Sequence, residues 1–367
     1  MDRILLDDGL KDIAAKVRSG QQLDRDDAIR LFETKNLLGV GYLADIVKKH
    51  KHQDNVYFVV NRHITYTNIC VNRCKFCAFS KTKGEKGSYV LSLDEIEEKA
   101  RAAKGLKVSE LHIVGGLNPD LDLNYYTEMM YRLRKVLPGT VIKALTAVEI
   151  AYLADKHGLT VDKVLRRLQA AGLEYLPGGG AEVFSPRVRR LVCPDKISGE
   201  RWLEVHAAAH RLGIRTNATM LYGHVETTEE RVDHLLKLRE LQDRTEGFLS
   251  FIPLAFQPKN TELAGSGARE TTGYDDLKML AVARLVLDNF DHIKAYWINI
   301  GPKLAQISLD FGVDDIHGTV MEEKISHAAG AGTKQVITKE ELVRLIKAAG
   351  KVPVERDALY NVVTEAL

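Results

Sequence analysis

Cysteine is scarce in this chain, with four residues in 367. So few thiols make no disulfide framework, and their rarity points to a reducing compartment, so a cytoplasmic protein is expected. A surplus of charge of one sign is also missing. The 52 Lys and Arg face 50 Asp and Glu, leaving a formal charge of +2. No field of that size gathers nucleic acid or an anionic membrane, so neither is expected as a partner. No apolar run approaches the roughly 18 residues that a membrane span needs. The opening "MDRILLDDGLKDIAAKVRSG" is acidic at once and amphipathic, without the basic-then-apolar order of an export signal. Repeats and low-complexity linkers are absent as well. What remains is 45% hydrophobic and 28% charged residues, the balance of a globular chain with ample core.

Before residue 60 the pattern is helical. "DRDDAIRLFETKN" and "GYLADIVKKHKH" space apolar residues at helix period between acidic starts and basic ends. From "HITYTNI" (63–69) onward, short β-branched or apolar runs alternate with amphipathic helices. Further runs lie at 110–116, 140–147, 172–180, 214–224, 247–256 and 292–300, with a weak eighth, "KISHAAGAG", at 324–332. The helices between them are well punctuated. Ser92 with Glu95 and Thr227 with Glu230 read as capping boxes, Ser198 caps a helix running to Gly213, and Thr338 with Glu341 opens a late one. Serial strand–helix units predict a parallel sheet, and seven or eight in a row favour a closed barrel over an open doubly wound sheet. The expected fold class is therefore α/β, a TIM-type (β/α) barrel of eight strands over residues 59–335. A helical N-terminal extension (1–58) and a helical C-terminal tail (336–367) are expected to pack on it. In such barrels chemistry sits at the C-terminal ends of the strands.

Three of the four cysteines fall within "CVNRCKFC", directly after the first strand: Cys70, Cys74 and Cys77. Three thiolates so spaced can hold one metal centre from a single loop. A structural zinc would want a fourth ligand, which would have to be His63, His112 or the distant Cys193. An electron-transfer 4Fe–4S cluster takes four cysteines, and no suitable fourth lies near. Three ligands on a cubane leave one iron open, the mark of a reactive site. Gly115 and Gly116 end the second strand, where backbone can approach a ligand closely or simply turn.

CxxxCxxC with an aromatic before the last cysteine, here Phe76, resembles the signature of the radical S-adenosylmethionine enzymes. The first-strand position, the glycine pair and the barrel rhythm agree with it. The resemblance implies a radical-SAM barrel with a 4Fe–4S cluster on the three cysteines. It also implies S-adenosyl-L-methionine as co-substrate on the open iron and a 5′-deoxyadenosyl radical after one-electron reduction. Phe76, Gly115 and Gly116 would then contact the cofactor.

Several other residues gain candidate roles from position. Glu182 follows "PGGG" and is either a cofactor-binding or catalytic carboxylate or an ordinary helix-start glutamate; Glu149 has the same ambiguity. Alternation in "IRTNATMLYGH" turns Asn217 and Thr219 to the barrel interior, where they are candidates for cofactor binding. His224, at the mouth end of that strand, is a candidate acid–base residue or carboxylate partner, with a structural role as the alternative. Lys143, Arg187, Arg284 and Lys294 are candidate cations, which spacing alone does not separate. Cys193 reads as an inert thiol.

From about residue 30 to 360 the stretches "HIVGGLNP", "KALTAVEI", "LPGGGAEVF", "TNATMLYGH" and "FIPLAF" resemble the aminofutalosine synthases of the futalosine route to menaquinone. "GGLNP" departs slightly, since a histidine often precedes the proline there. The resemblance implies addition of the adenosyl radical to the enol ether 3-[(1-carboxyvinyl)oxy]benzoate, with rearrangement and decarboxylation to 6-amino-6-deoxyfutalosine. It further implies a flavodoxin- or ferredoxin-type reductant and allows a homodimer. The two substrate carboxylates would need partners, expected to be His224 and one of Lys294 or Arg187. The sister dehypoxanthine futalosine cyclases, another radical enzyme, and a non-enzymatic iron–sulfur electron carrier are the alternatives.

Overall fold

The computed structural model describes residues 7–265, 268 and 270–365. Residues 1–6 of the expected extension and 366–367 of the expected tail lie outside that range. Seven strands form one all-parallel sheet in chain order: β2 (Asn61–Thr65), β3 (Glu110–Val114), β4 (Val141–Ala144), β5 (Tyr175–Leu176), β6 (Arg215–Tyr222), β7 (Phe248–Ala255) and β8 (His292–Ile293). Helices lie between them, several opened by the caps read above. Ser92 and Thr227 each form a complete capping box, and Thr146 forms one that the sequence reading did not name. Trp202, Phe184 and Phe248 are fully buried among the helix and strand faces that form the core.

The eighth position is filled differently from the expectation. Residues 324–332 form no strand; Ile325–Ala328 is one turn of helix. Strand β9 (Asp315–Gly318) and the residues after it close the circle instead. Asp315 bridges Lys294 beside β8, and Met321 bridges Arg62 on β2. Gly318 permits this closure, because a Cβ there would lie 2.3 Å from the Val59 carbonyl oxygen.

A second sheet seals the N-terminal end of the barrel. Strand β1 (Asn55–Val59) pairs in parallel with β9 on one side and with β10 (Val352–Arg356) on the other. Strand β11 (Val362–Glu365) then pairs antiparallel with β10. The tail is thus not only helical: one helix, Lys339–Ala348, is followed by two strands. Arg356, fully buried, reaches Asp315 Oδ2 with Nε (2.9 Å) and Nη2 (2.7 Å), closing the barrel floor with a charge-assisted fork. The N-terminal helices pack outside, Leu37–His52 against Gly273–Val286. No helix among the described residues is long and apolar enough to cross a membrane.

Candidate active site

The strand ends open into a cavity of about 330 Å³. The loop after β2 forms one wall and brings Cys70, Cys74 and Cys77 to it. Three backbone ties hold that loop: Cys70 N–H to Lys81 O (3.1 Å), Val71 N–H to Leu117 O (3.1 Å) and Lys75 N–H to Val192 O (2.9 Å). Gly116 lies against it so closely that a Cβ would fall 2.2 Å from Ile69 O and 2.9 Å from Cys70 Cβ. Gly116 therefore seats the cysteine loop as well as lining the cavity. Burial pushes the Cys74 thiol up to about 12 and raises that of Cys77. Cys193 is wholly buried and does not line the cavity.

Glu182 lines the cavity too, with a left-handed backbone (φ 49°), and accepts from Lys196 Nζ at 2.6 Å. Lys196 is a site residue that sequence reasoning missed; it follows no strand and belongs to no motif. Burial works against its charge, but the Glu182 carboxylate that it bonds favours the protonated form. Its Nζ also stands 5.0 Å from the centre of the Phe76 ring, which lines the cavity too. Glu149 faces the cavity but is consumed structurally. Its Oε1 accepts from Tyr66 Oη (2.6 Å) and Gly115 N–H (3.2 Å), and its Oε2 from the Thr146 N–H and hydroxyl. Asn217 and Thr219 both line the cavity from β6. Asn217 Oδ1 accepts from Ser250 Oγ (2.6 Å) and from Tyr175 Oη, while Thr219 Oγ1 donates to Gly178 O (2.6 Å).

The structure places His224 outside the cavity lining, in the turn after β6. Its side chain is fully buried outside the cavity lining. Nε2 donates to Leu221 O (2.9 Å), and Nδ1 accepts from Val225 N–H (2.8 Å). Both ring nitrogens thus serve the turn that leaves β6, and Nδ1 also stands 3.1 Å from the buried Glu226 Oε2. The candidate cations separate clearly. Arg187 is half-exposed and forks onto Glu230. Arg284 is buried against Asp314, on the side away from the mouth. Lys294 and Lys143 both sit in the barrel interior, near Asp315 and Glu110 respectively, and of the two only Lys143 lines the cavity.

The donor set fits an iron–sulfur cluster with three protein ligands. Three thiols from one loop face a single cavity, and the fourth cysteine is committed to the core. Glycine backbone, a buried Lys–Glu pair and inward hydroxyl and amide groups surround it, a suitable lining for a polar, charged co-substrate.

Comparisons with known proteins agree with this chemistry. The model of the Radical SAM superfamily matches residues 64–238, and that of the CofH/MqnC C-terminal region matches residues 245–366. The chain is 49% identical to an aminodeoxyfutalosine synthase of Thermus thermophilus over 363 residues, covering 98% of this chain and 97% of that protein. It is 44% identical to a 5-amino-6-(D-ribitylamino)uracil–L-tyrosine 4-hydroxyphenyl transferase of Archaeoglobus fulgidus, covering 87% and 92%. Its fold is similar to that of methylornithine synthase (TM-score 0.75, 20% identity, covering 93% of this chain and 97% of that one). It is likewise similar to the FeFe-hydrogenase maturase HydG of Carboxydothermus hydrogenoformans (TM-score 0.76, 19% identity, 96% and 80%). The chain belongs to the radical S-adenosylmethionine superfamily, as an enzyme of that family's 4Fe–4S and S-adenosylmethionine chemistry with a CofH/MqnC-type C-terminal region.

Proposed function

We propose that this enzyme is an aminodeoxyfutalosine synthase, joining the 5′-deoxyadenosyl group to 3-[(1-carboxyvinyl)oxy]benzoate with loss of carbon dioxide. The near-complete coverage at 49% identity carries the reading. When bound, the cluster and S-adenosylmethionine supply the adenosyl radical. The chain's own residues then have four tasks. Cys70, Cys74 and Cys77 hold the cluster and leave one iron free. Phe76, Gly115, Gly116, Asn217, Thr219 and Glu182 seat the co-substrate, with Lys196 fixing the Glu182 carboxylate. The closed barrel excludes water and loose C–H bonds from a reactive carbon radical. Its walls hold the alkene next to the carbon that attacks, the positional contribution to rate.

A one-electron protein donor of the flavodoxin or ferredoxin type completes the reaction. The test is anaerobic incubation of reconstituted enzyme with S-adenosylmethionine, dithionite and the enol ether, followed by mass spectrometry. A product joining adenosine to the aryl group supports the reading. Free 5′-deoxyadenosine with unjoined substrate, or turnover only with tyrosine and a ribitylaminouracil, overturns it.

A further inference from the structure

Below the mouth, three imidazoles line the same cavity without protein partners for much of their hydrogen-bonding capacity. His63 on β2 and His112 on β3 sit at one register level and stack at 4.5 Å between ring centres. His317, on β9, lies 6.3 Å from His63. Both ring nitrogens of His317, Nε2 of His63 and Nδ1 of His112 are buried and unpartnered. Native proteins keep few buried polar atoms in that state, because each forfeits its hydrogen bond to water. His317 adds backbone strain: its φ is 69°, in the left-handed region that a β-strand residue rarely enters. Its N–H is held there by Asp315 Oδ1 at 2.6 Å. Strain and unpartnered nitrogens at one place indicate a ligand contributed from outside the chain.

The ligand is not a single metal ion. Among the described residues, the group whose donor atoms converge closely enough for that is His52, His292 and Asp314, away from this cavity. Burial depresses all three cavity imidazoles, His63 to about 4, so each is a neutral ring with one N–H to give. Several neutral donors spread over a few ångströms, with Lys143 at the same register level on β4, suit an anion with more than one acceptor. His112 on β3 lies three residues before Gly115, which directly follows that strand, about 10 Å at strand rise. That depth is out of reach of a group reacting at the mouth, and within reach of the far end of an aromatic substrate.

We propose that His63, His112 and His317 form the subsite for the ring carboxylate of an aryl substrate, the group that stays in the product. Lys143 supports it electrostatically while paired with Glu110 at 3.6 Å. The inference rests on the reading of the substrate as 3-[(1-carboxyvinyl)oxy]benzoate, but its test does not.

The holoenzyme is titrated calorimetrically with 3-hydroxybenzoate and with phenol. The unaltered protein should prefer the carboxylate. His112→Phe keeps the stacked ring and removes its nitrogens, and His317→Asn suits the left-handed backbone. Each should cut that preference about tenfold or more while iron content and S-adenosylmethionine affinity stay unchanged. In turnover, the same variants should raise KM for the full substrate, but not for the analogue lacking the ring carboxylate, with kcat little altered. Equal preference in unaltered and variant proteins, or an unaltered protein indifferent to the carboxylate, overturns the subsite. Absence of turnover with retained preference would count against the proposed reaction alone.

Discussion

At the scale of single residues, the site separates groups that face the cavity from groups that shape it. Lys196 and Glu182 form a buried pair beside the cysteine loop, whereas Glu149 is spent on backbone and hydroxyl donors. His224 belongs with the second kind. Its position at a strand end suggests chemistry, but a histidine can also bond the turn it stands in, and sequence does not distinguish the two. Replacing His224 with alanine should cost about 1–3 kcal/mol of stability, since two part-buried backbone groups and the buried Glu226 carboxylate lose a partner. Thermal unfolding should show the loss, while kcat and KM stay within about threefold of the unaltered enzyme. A large fall in kcat with an unchanged melting temperature would return His224 to the chemistry. The cysteine motif was legible because residue type and spacing alone define it. Lys196 was not, because it stands in no motif and meets Glu182 and the distant Cys74 only in the folded barrel.

At the scale of elements, strands with β-branched runs and helices with capping boxes were readable, and the failures have local causes. Strand β9 is short, and its closure depends on Gly318 fitting against the backbone of β1, a contact between residues far apart in the chain. The alanine- and glycine-rich stretch after it looked like the weak last strand but makes a single helical turn. In the tail, Pro353 discourages a strand reading. It is nevertheless accommodated, paired opposite Val56 in a parallel ladder. The loop after β2 depends on Gly116 in the same way as β9 depends on Gly318. Gly116→Ala puts a methyl into Ile69 O and the Cys70 side chain, so the cysteine loop must move. Reconstituted iron per chain should fall well below that of the unaltered protein, while the helical circular dichroism is retained. Full iron loading would show that the close packing is dispensable.

At the scale of the whole molecule, the barrel buries an unusual set of neutral imidazoles, and this sets its response to acid. His234 is the clearest case. Its Nδ1 accepts from Phe184 N–H (3.2 Å) and its Nε2 donates to Thr219 O (2.9 Å). Burial drives its pKa down from 6.5 to about 3. The unfolded chain therefore binds a proton at this ring that the folded chain refuses. The stability it contributes is complete above pH 6.5 and is lost as pH falls towards 3, at up to about 1.4 kcal/mol per pH unit. His210, pushed down to about 4 by burial, acts in the same direction. Denaturant midpoints should fall steeply between pH 6.5 and 4.5, and His234→Gln, less stable at pH 7, should show a shallower fall. An unchanged slope in the variant would remove His234 from the acid response.

The central claim concerns the same molecule loaded with its cluster: three cysteines bind it and one iron stays open for S-adenosylmethionine. Pulsed electron–nuclear double resonance on the reduced holoenzyme, with the methionine amino group and carboxylate isotopically labelled, measures this directly. Hyperfine coupling from both labelled groups to the cluster is expected, abolished by Cys74→Ser. A cluster with four protein ligands and no coupling to the labelled co-substrate would contradict it.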